Sequence, residues 1–331
     1  MGALGGAGAG RTVTVGSGAG VGAGSGADSA AGSDAGSGAG FGARLAEVFA
    51  TRGQLCVGID PHDYLLDAWD LPRSAAGVRE FGLRVVDAAA GRVGILKPQV
   101  AFFELHGSAG FAALEQVLEA ARAAGLLVIA DAKRGDIGTS AEAYGRAWLE
   151  PGSPLEADAV TLAAYAGVGS LVPVFELAEQ HGKGAFVLSA TSNPESFALQ
   201  TARASWQGEH YSSSGLVAEE VLTHNRAQAG SGHGGTGRIG NIGLVLGATK
   251  NLTDYGIDRG GLSAGPAVPV LAPGFGFQGA TFADVRRVFG PLAGSTVVAV
   301  SRSVLQAGPR RLEQSIQNQV DELAAAIGAS Q

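Results

Sequence analysis

The chain is 331 residues long and carries 54 glycines, more than twice the roughly 7% of an ordinary protein, with a net charge of −7 and a pI of about 5.4. No Gly-X-Y period runs through it, Cys56 is its single cysteine, and no 18-residue apolar run is free of glycine and charge. Those facts exclude a collagen-like rod, a disulfide-stapled scaffold and a membrane span, and the lack of a basic stripe argues against a nucleic-acid partner.

Residues 1–42 form a Gly/Ala/Ser tract that holds 16 of the glycines and three charges, Arg11, Asp28 and Asp34. Such a stretch buries too little apolar area to offset its ordering entropy, so it is expected to be a disordered tail. It has neither the charged and apolar blocks of a secretory signal nor the arginine content of a transit peptide, so a cytoplasmic protein is expected. The folded domain is expected over 43–331, although Phe41, Leu45, Val48 and Phe49 already share one helical face.

From there, apolar runs alternate with amphipathic stretches. The strand-like runs are Leu55–Ile59, Val93–Leu96, Leu126–Ala130, Ala159–Leu162, Ala185–Leu188, Ile242–Leu246, Val268–Leu271 and Val297–Val300. Helical patterns fall at Val78–Ala90, Ala109–Ala124, Ala141–Leu149, Leu171–Gln180, Leu216–His224, Phe282–Phe289 and Leu312–Ile327. Eight continuous apolar strands interleaved with helices predict a parallel sheet buried on both faces, closed as a single (β/α)8 TIM barrel of the α/β class. Two places break the rhythm. Residues 226–241 are rich in Gly, Ser and His and read as a flexible insertion. Lys250–Ala267 is glycine-rich, so a short or broken sixth helix is expected there.

A barrel of this kind builds its active site at the C-terminal ends of its strands. The residues that follow the runs carry the chemistry: Asp60 after the first, Lys97 after the second, Asp131, Lys133 and Asp136 after the third, Ser192 after the fifth. A Gly-Phe-Gly-Phe-Gln-Gly turn with Gly276 and Gln278 follows the seventh, and Arg302 follows the eighth. Only four lysines exist (Lys97, Lys133, Lys183, Lys250), and two of them fall at this mouth. Asp131 and Lys133 are two apart, which puts both on one side of an extended strand. Alternating carboxylates and ammonium groups keep one another ionised. The glycine turn and Arg302 suit a phosphate group. Taken singly, Asp60-Pro61 also reads as a strand-ending turn and Lys97 as a surface lysine whose stem packs on the protein. Cys56 reads as a small core residue, and the histidines show no metal-ligand spacing.

Together, the segments Cys56–Pro61 (CVGIDP), Ile95–Gln99 (ILKPQ), Asp131–Ile137 (DAKRGDI), Thr191–Pro194 (TSNP) and Pro273–Gly279 (PGFGFQG) resemble the orotidine 5′-phosphate decarboxylases, in particular their longer, bacterial-type branch. The resemblance covers about residues 43–310. It implies conversion of orotidine 5′-monophosphate to UMP and CO2 in pyrimidine biosynthesis, with neither metal nor organic cofactor. It implies a charged tetrad of Lys97, Asp131, Lys133 and Asp136, with Lys133 as proton donor to C6 of the pyrimidine. Asp60 and Lys97 would hold ribose hydroxyls, Ser192 the pyrimidine ring, and Gln278 and Arg302 with nearby backbone N–H groups, Gly276 among them, the phosphate. Asp136 would reach into the neighbouring subunit's site, which implies a homodimer. The family usually has a threonine four residues after that aspartate; here Ser140 stands there with Thr139 before it, and either hydroxyl could take the role.

Other readings stay open on sequence. A lone Asp-x-Lys-x-x-Asp is shared with Mg²⁺-dependent sugar-phosphate enzymes of the same barrel, such as 3-keto-gulonate-phosphate decarboxylases and hexulose-phosphate synthases. A non-catalytic phosphate-binding barrel and an interaction protein led by the glycine-rich tail are the further alternatives.

Overall fold

Parallel strands need both faces covered, and the burial pattern meets that demand. The computed structural model describes residues 39–231 and 239–328. Eight parallel strands close a barrel: β1 (Leu55–Ile59), β2 (Ile95–Pro98), β3 (Leu127–Arg134), β4 (Ala159–Leu162), β5 (Gly184–Ala190), then, after a hairpin of β6 (Arg203–Trp206) and β7 (Glu209–Ser212), β8 (Ile242–Leu246), β9 (Val270–Ala272) and β10 (Thr296–Val300). The barrel order is β1-β10-β9-β8-β5-β4-β3-β2, with β1 pairing β10 to shut it. All eight apolar runs therefore become barrel strands. β3 and β5 extend past their apolar runs, with Arg134 still paired to Leu162 and Ala190 to Leu246.

The strands carry two cores. Alternate residues point inward, and Cys56, Ile95, Leu127, Ile129, Ala159, Phe186, Val245, Leu271, Val297 and Ala299 fill the barrel. The other parity, with Val57, Leu96, Val128, Val160 and Val187, packs under the helices. Burial pushes the Cys56 thiol up to about 12, so it is an inert core group as expected.

The helices obey the same logic. Ala75–Ala89 starts where the Ser74 hydroxyl accepts the Gly77 N–H, and it buries Val78, Phe81, Val85, Val86 and Ala89 at i, i+3, i+4 spacing. The expected weak sixth helix is split into a 3₁₀ turn at Leu252–Tyr255 and a short helix at Arg259–Ser263. Gly256, at φ +67°, ends the turn between them.

Two boundaries differ from expectation. Helix Phe41–Arg52 takes in Phe41 and Gly42, which the glycine content assigned to the tail. Phe41 is fully buried and meets Phe186 edge-on, with ring centroids 5.9 Å apart. A side chain at Gly184 would strike the Phe41 ring at 2.4 Å, so glycine there lets this helix cap the N-terminal end of the barrel. Arg44 secures the cap through Asp158 at 2.7 Å, and Lys183 joins Glu156 at 2.8 Å beside it. The rest of the tail, residues 1–38, lies outside the described residues. The second boundary is helix Ser213–Ser231, which absorbs residues 226–231 of the expected insertion. Residues 232–238 lie outside the described residues, and Ile239 rejoins the fold by bridging to Ala267. Among the described residues, no helix is long and apolar enough to cross a membrane.

Candidate active site

The inward rows that form the barrel core continue upward into the mouth and there turn polar. In β1 the row runs from Cys56 through Gly58 to Asp60; in β2 from Ile95 to Lys97; in β3 from Leu127 and Ile129 to Asp131; in β4 from Ala159 to Thr161. Strand pairing aligns these rows, with Gly58 opposite Lys97 in the β1–β2 register. Above them lies a cavity of about 510 Å³, lined on this side by Asp60, Lys97, Gln99, Asp131 and Lys133.

Asp131 is the hub. Its Oδ2 accepts Lys97 Nζ at 2.8 Å and Gln99 Nε2 at 3.1 Å. Its Oδ1 accepts Lys133 Nζ at 2.6 Å and Thr161 Oγ1 at 2.9 Å. A carboxylate has about four lone-pair sites, and all four are taken. Burial disfavours a charge on Asp131, but Lys97 and Lys133 outweigh it and hold the carboxyl well below the usual carboxylate range. Burial likewise opposes the Lys97 ammonium, and the carboxylates of Asp131 and Asp60 overcome it and raise Lys97 above the ordinary lysine value. Lys97 is buried, whereas the Lys133 side chain is 44% exposed and faces the cavity. Lys133 Nζ also donates to Gln99 Oε1 at 3.2 Å. An ammonium has three donors, so one remains for a ligand after Asp131 and Gln99.

Lys133 does not sit on a regular strand. Its φ is +49°, the left-handed region, and the β3–β4 register shifts between Ala130 and Arg134. The expected same-side placement of Asp131 and Lys133 holds, but an irregular backbone delivers it.

The opposite wall comes from the loops after β5, β9 and β10, with Ser192, Gln278 and Arg302 all lining the cavity. The Arg302 guanidinium lies 3.6 Å from the centroid of the Phe277 ring, a cation–π contact that holds it in place. The turn before it needs glycine: Gly274, Gly276 and Gly279 have φ of +117°, +70° and +102°. Gln200 braces the β5 loop by accepting the Thr191 N–H and donating to its hydroxyl, both at 2.9 Å.

Three buried oxygens in this region lack a partner among the described residues: Asp60 Oδ1, Ser301 Oγ and Ser303 Oγ. Asp60 and Ser301 line the cavity. An unsatisfied buried acceptor costs about 1–3 kcal/mol, which ligand hydroxyls would relieve.

Some expected residues are not brought to the cavity of the single chain. Asp136 stands apart from the Lys97–Asp131–Lys133 chain, its Oδ1 accepting the Ile137 N–H at 2.8 Å. Thr139 and Ser140 are exposed in the first turn of helix Gly138–Leu149. Gly276 does not line the cavity, and its N–H donates to Ala280 O at 2.8 Å, so that amide serves the turn. Sequence reasoning missed Gln99 and Thr161. Thr161 is the one polar residue of the run AVTL, and Gln99 follows Lys97 at strand spacing; those were the available signals. The other two lysines lie elsewhere: Lys183 at the barrel floor, and Lys250 on the rim, donating to Asn193 O at 3.2 Å.

Known proteins resemble this chain in sequence and in fold. The sequence model of the orotidine 5′-phosphate decarboxylase / HUMPS family matches residues 53–314. An orotidine 5′-phosphate decarboxylase of Corynebacterium efficiens is 48% identical over 265 residues, covering 80% of this chain and 89% of that protein. Among solved structures, a candidate orotidine 5′-phosphate decarboxylase from Streptomyces avermitilis superposes with a TM-score of 0.79 at 42% identity, over 88% of this chain and 96% of that one. The OMP decarboxylase of Leishmania donovani gives 0.64 at 28% identity, over 85% and 97%. With the matched segment spanning every barrel strand, the chain belongs to the orotidine 5′-phosphate decarboxylase / HUMPS family.

Proposed function

We propose that the protein decarboxylates orotidine 5′-monophosphate to UMP in pyrimidine biosynthesis. The observation that carries this reading is the Lys97–Asp131–Lys133 chain at one wall of a cavity whose other wall presents Gln278 and Arg302. A nucleotide spanning the cavity places its phosphate at Arg302 and its pyrimidine against Lys133. The unpartnered Asp60 Oδ1 is an acceptor for a ribose hydroxyl. Ser192 is the cavity hydroxyl for the ring.

The step breaks the bond from C6 to the carboxylate carbon, releases CO2 and leaves the electron pair on C6. Lys133 stabilises that pair electrostatically and then transfers a proton from Nζ to C6. Asp131 holds the Lys133 ammonium in place through the 2.6 Å hydrogen bond to its Oδ1 and faces the substrate carboxylate. Two like charges about 4 Å apart at an effective dielectric near 20 repel by roughly 4 kcal/mol, which CO2 loss relieves. The phosphate is remote from the bond that breaks, so its binding energy serves to organise the site.

The working unit we propose is a cytoplasmic homodimer in which Asp136 completes the partner's tetrad. Leu105, Ile137 and Tyr165 support it: they follow three adjacent strands, β2, β3 and β4, and expose large apolar surface. A lone buried thiol suits a reducing compartment. The decisive test is loss of the orotidine 5′-monophosphate absorbance on incubation with the purified protein, with and without EDTA. Full turnover in EDTA is expected. Absence of turnover, or turnover that EDTA abolishes, overturns the reading.

A further inference from the structure

We propose that Thr161 is a positioning residue for Lys133, and that its hydroxyl sets both the strand bulge and the proton-donor geometry. The inference deepens the decarboxylase reading and rests on it. Thr161 is fully buried in β4. Its Oγ1 donates to Asp131 Oδ1 at 2.9 Å and accepts the Lys133 backbone N–H at 2.9 Å. One hydroxyl thus holds the carboxylate that pairs with Lys133 and the backbone from which Lys133 springs. It does so where ordinary strand pairing fails, because the β3–β4 register shifts between Ala130 and Arg134. A regular ladder would satisfy the Lys133 N–H with a backbone carbonyl; here the threonine hydroxyl takes that place. The left-handed Lys133 backbone is an unfavourable conformation for a residue with a Cβ, of the kind that persists only when its surroundings over-determine it. The Thr161 contact supplies that determination, aided by Arg134 O, which accepts the Ala163 N–H at 2.8 Å just beyond.

Threonine also suits the space. Valine fills the same volume but neither donates nor accepts, so it would leave the Lys133 N–H and one Asp131 lone pair unsatisfied. Serine keeps the hydroxyl and loses only a methyl group.

The test compares Thr161→Val and Thr161→Ser with the wild type in kcat, KM, UMP affinity and melting temperature. Thr161→Val is expected to lower kcat by about 10²-fold, the scale of an approximately 1 Å misplacement of a reacting group. UMP affinity should stay within about threefold, and Thr161→Ser should recover kcat to within about threefold of the wild type. Wild-type kcat in Thr161→Val overturns the proposal, as does a Thr161→Ser no better than Thr161→Val, or a parallel loss of kcat and UMP affinity. If Thr161→Val does not fold, Thr161→Cys is read by the same criteria; failure of both to fold makes Thr161 a structural residue and overturns the proposal. Absence of turnover in the wild type is a different result, and it overturns the decarboxylase reading instead.

Discussion

Lys97 Nζ lies 2.8 Å from Asp131 Oδ2, although 34 positions separate the two residues in the chain. Each is buried at a charge state it could not keep alone. The carboxylate holds the ammonium protonated and the ammonium holds the carboxylate ionised, so breaking the pair strands a buried charge.

Stability should therefore depend on pH at both extremes. Asp131 has its folded pKa below its unfolded value of about 3.9, so its contribution is present above that value and is lost as pH falls towards the folded one. Lys97 has its folded pKa above its unfolded value of about 10.4, so its contribution is present below that value and is lost as pH rises through the folded one. The contribution of this pair to the melting temperature should be constant between these limits. In a Lys97→Met/Asp131→Asn double variant the acid and alkaline losses should both shrink, and unchanged limbs would refute the assignment.

Lys133→Ala removes the proposed proton donor while leaving the opposite wall of Ser192, Gln278 and Arg302 intact. Turnover should fall by at least the 10²–10⁴-fold typical of a general acid, while UMP binding stays measurable by titration. Near-normal turnover would sink the mechanism.

Arg302→Ala removes the one cationic group that the described residues place on the Gln278 wall of the cavity, and its stacking on Phe277. A hydrogen bond to a charged group is worth about 1.5–3 kcal/mol, so kcat/KM should fall about 10- to 100-fold. The loss should be smaller for orotidine, which has no phosphate to lose contact with; equal losses for both substrates would remove Arg302 from phosphate binding.

Asp136 offers a test of the proposed shared site. Lys133→Ala and Asp136→Asn proteins should each be inactive alone. Mixed and allowed to exchange subunits, they should regain about a quarter of wild-type activity, because half the dimers are hybrids with one intact site each. No recovery, despite exchange seen by mass, would place Asp136 in its own chain's site.

Phe41→Ala probes the barrel floor. Removing a fully buried aromatic ring costs about 3–5 kcal/mol, and Phe41 packs on Phe186 with no solvent exposure. A large drop in the denaturation midpoint is expected, with kcat little changed because the mouth lies at the other end.

Much of this protein is legible in its sequence because a buried parallel strand must be apolar on both faces. That requirement writes Leu55–Ile59, Ala159–Leu162 and Ile242–Leu246 at their exact bounds. The rule that loops at strand C-termini carry chemistry then picks out nine residues, of which Asp60, Lys97, Asp131, Lys133, Ser192, Gln278 and Arg302 line one cavity while Asp136 and Gly276 do not. The hairpin β6–β7 escaped notice because its two-residue turn is Gln207-Gly208, both at positive φ, and glutamine is a weak marker for such a turn.

Sequence by itself determined the eight barrel strands, their closure and most of the residues at the mouth, since hydrophobic periodicity and strand order are local and repeat eight times. Tertiary structure decided what the Phe41 helical pattern is for, because the worth of Phe41 depends on a gap at Gly184 more than a hundred positions away. It also decided which hydroxyl serves Lys133. Thr161 looks like one more β-branched strand residue until pairing with an irregular β3 sets its oxygen between a carboxylate and a backbone N–H. Contacts of that kind join strands through a register shift, and no pattern read along one strand contains them.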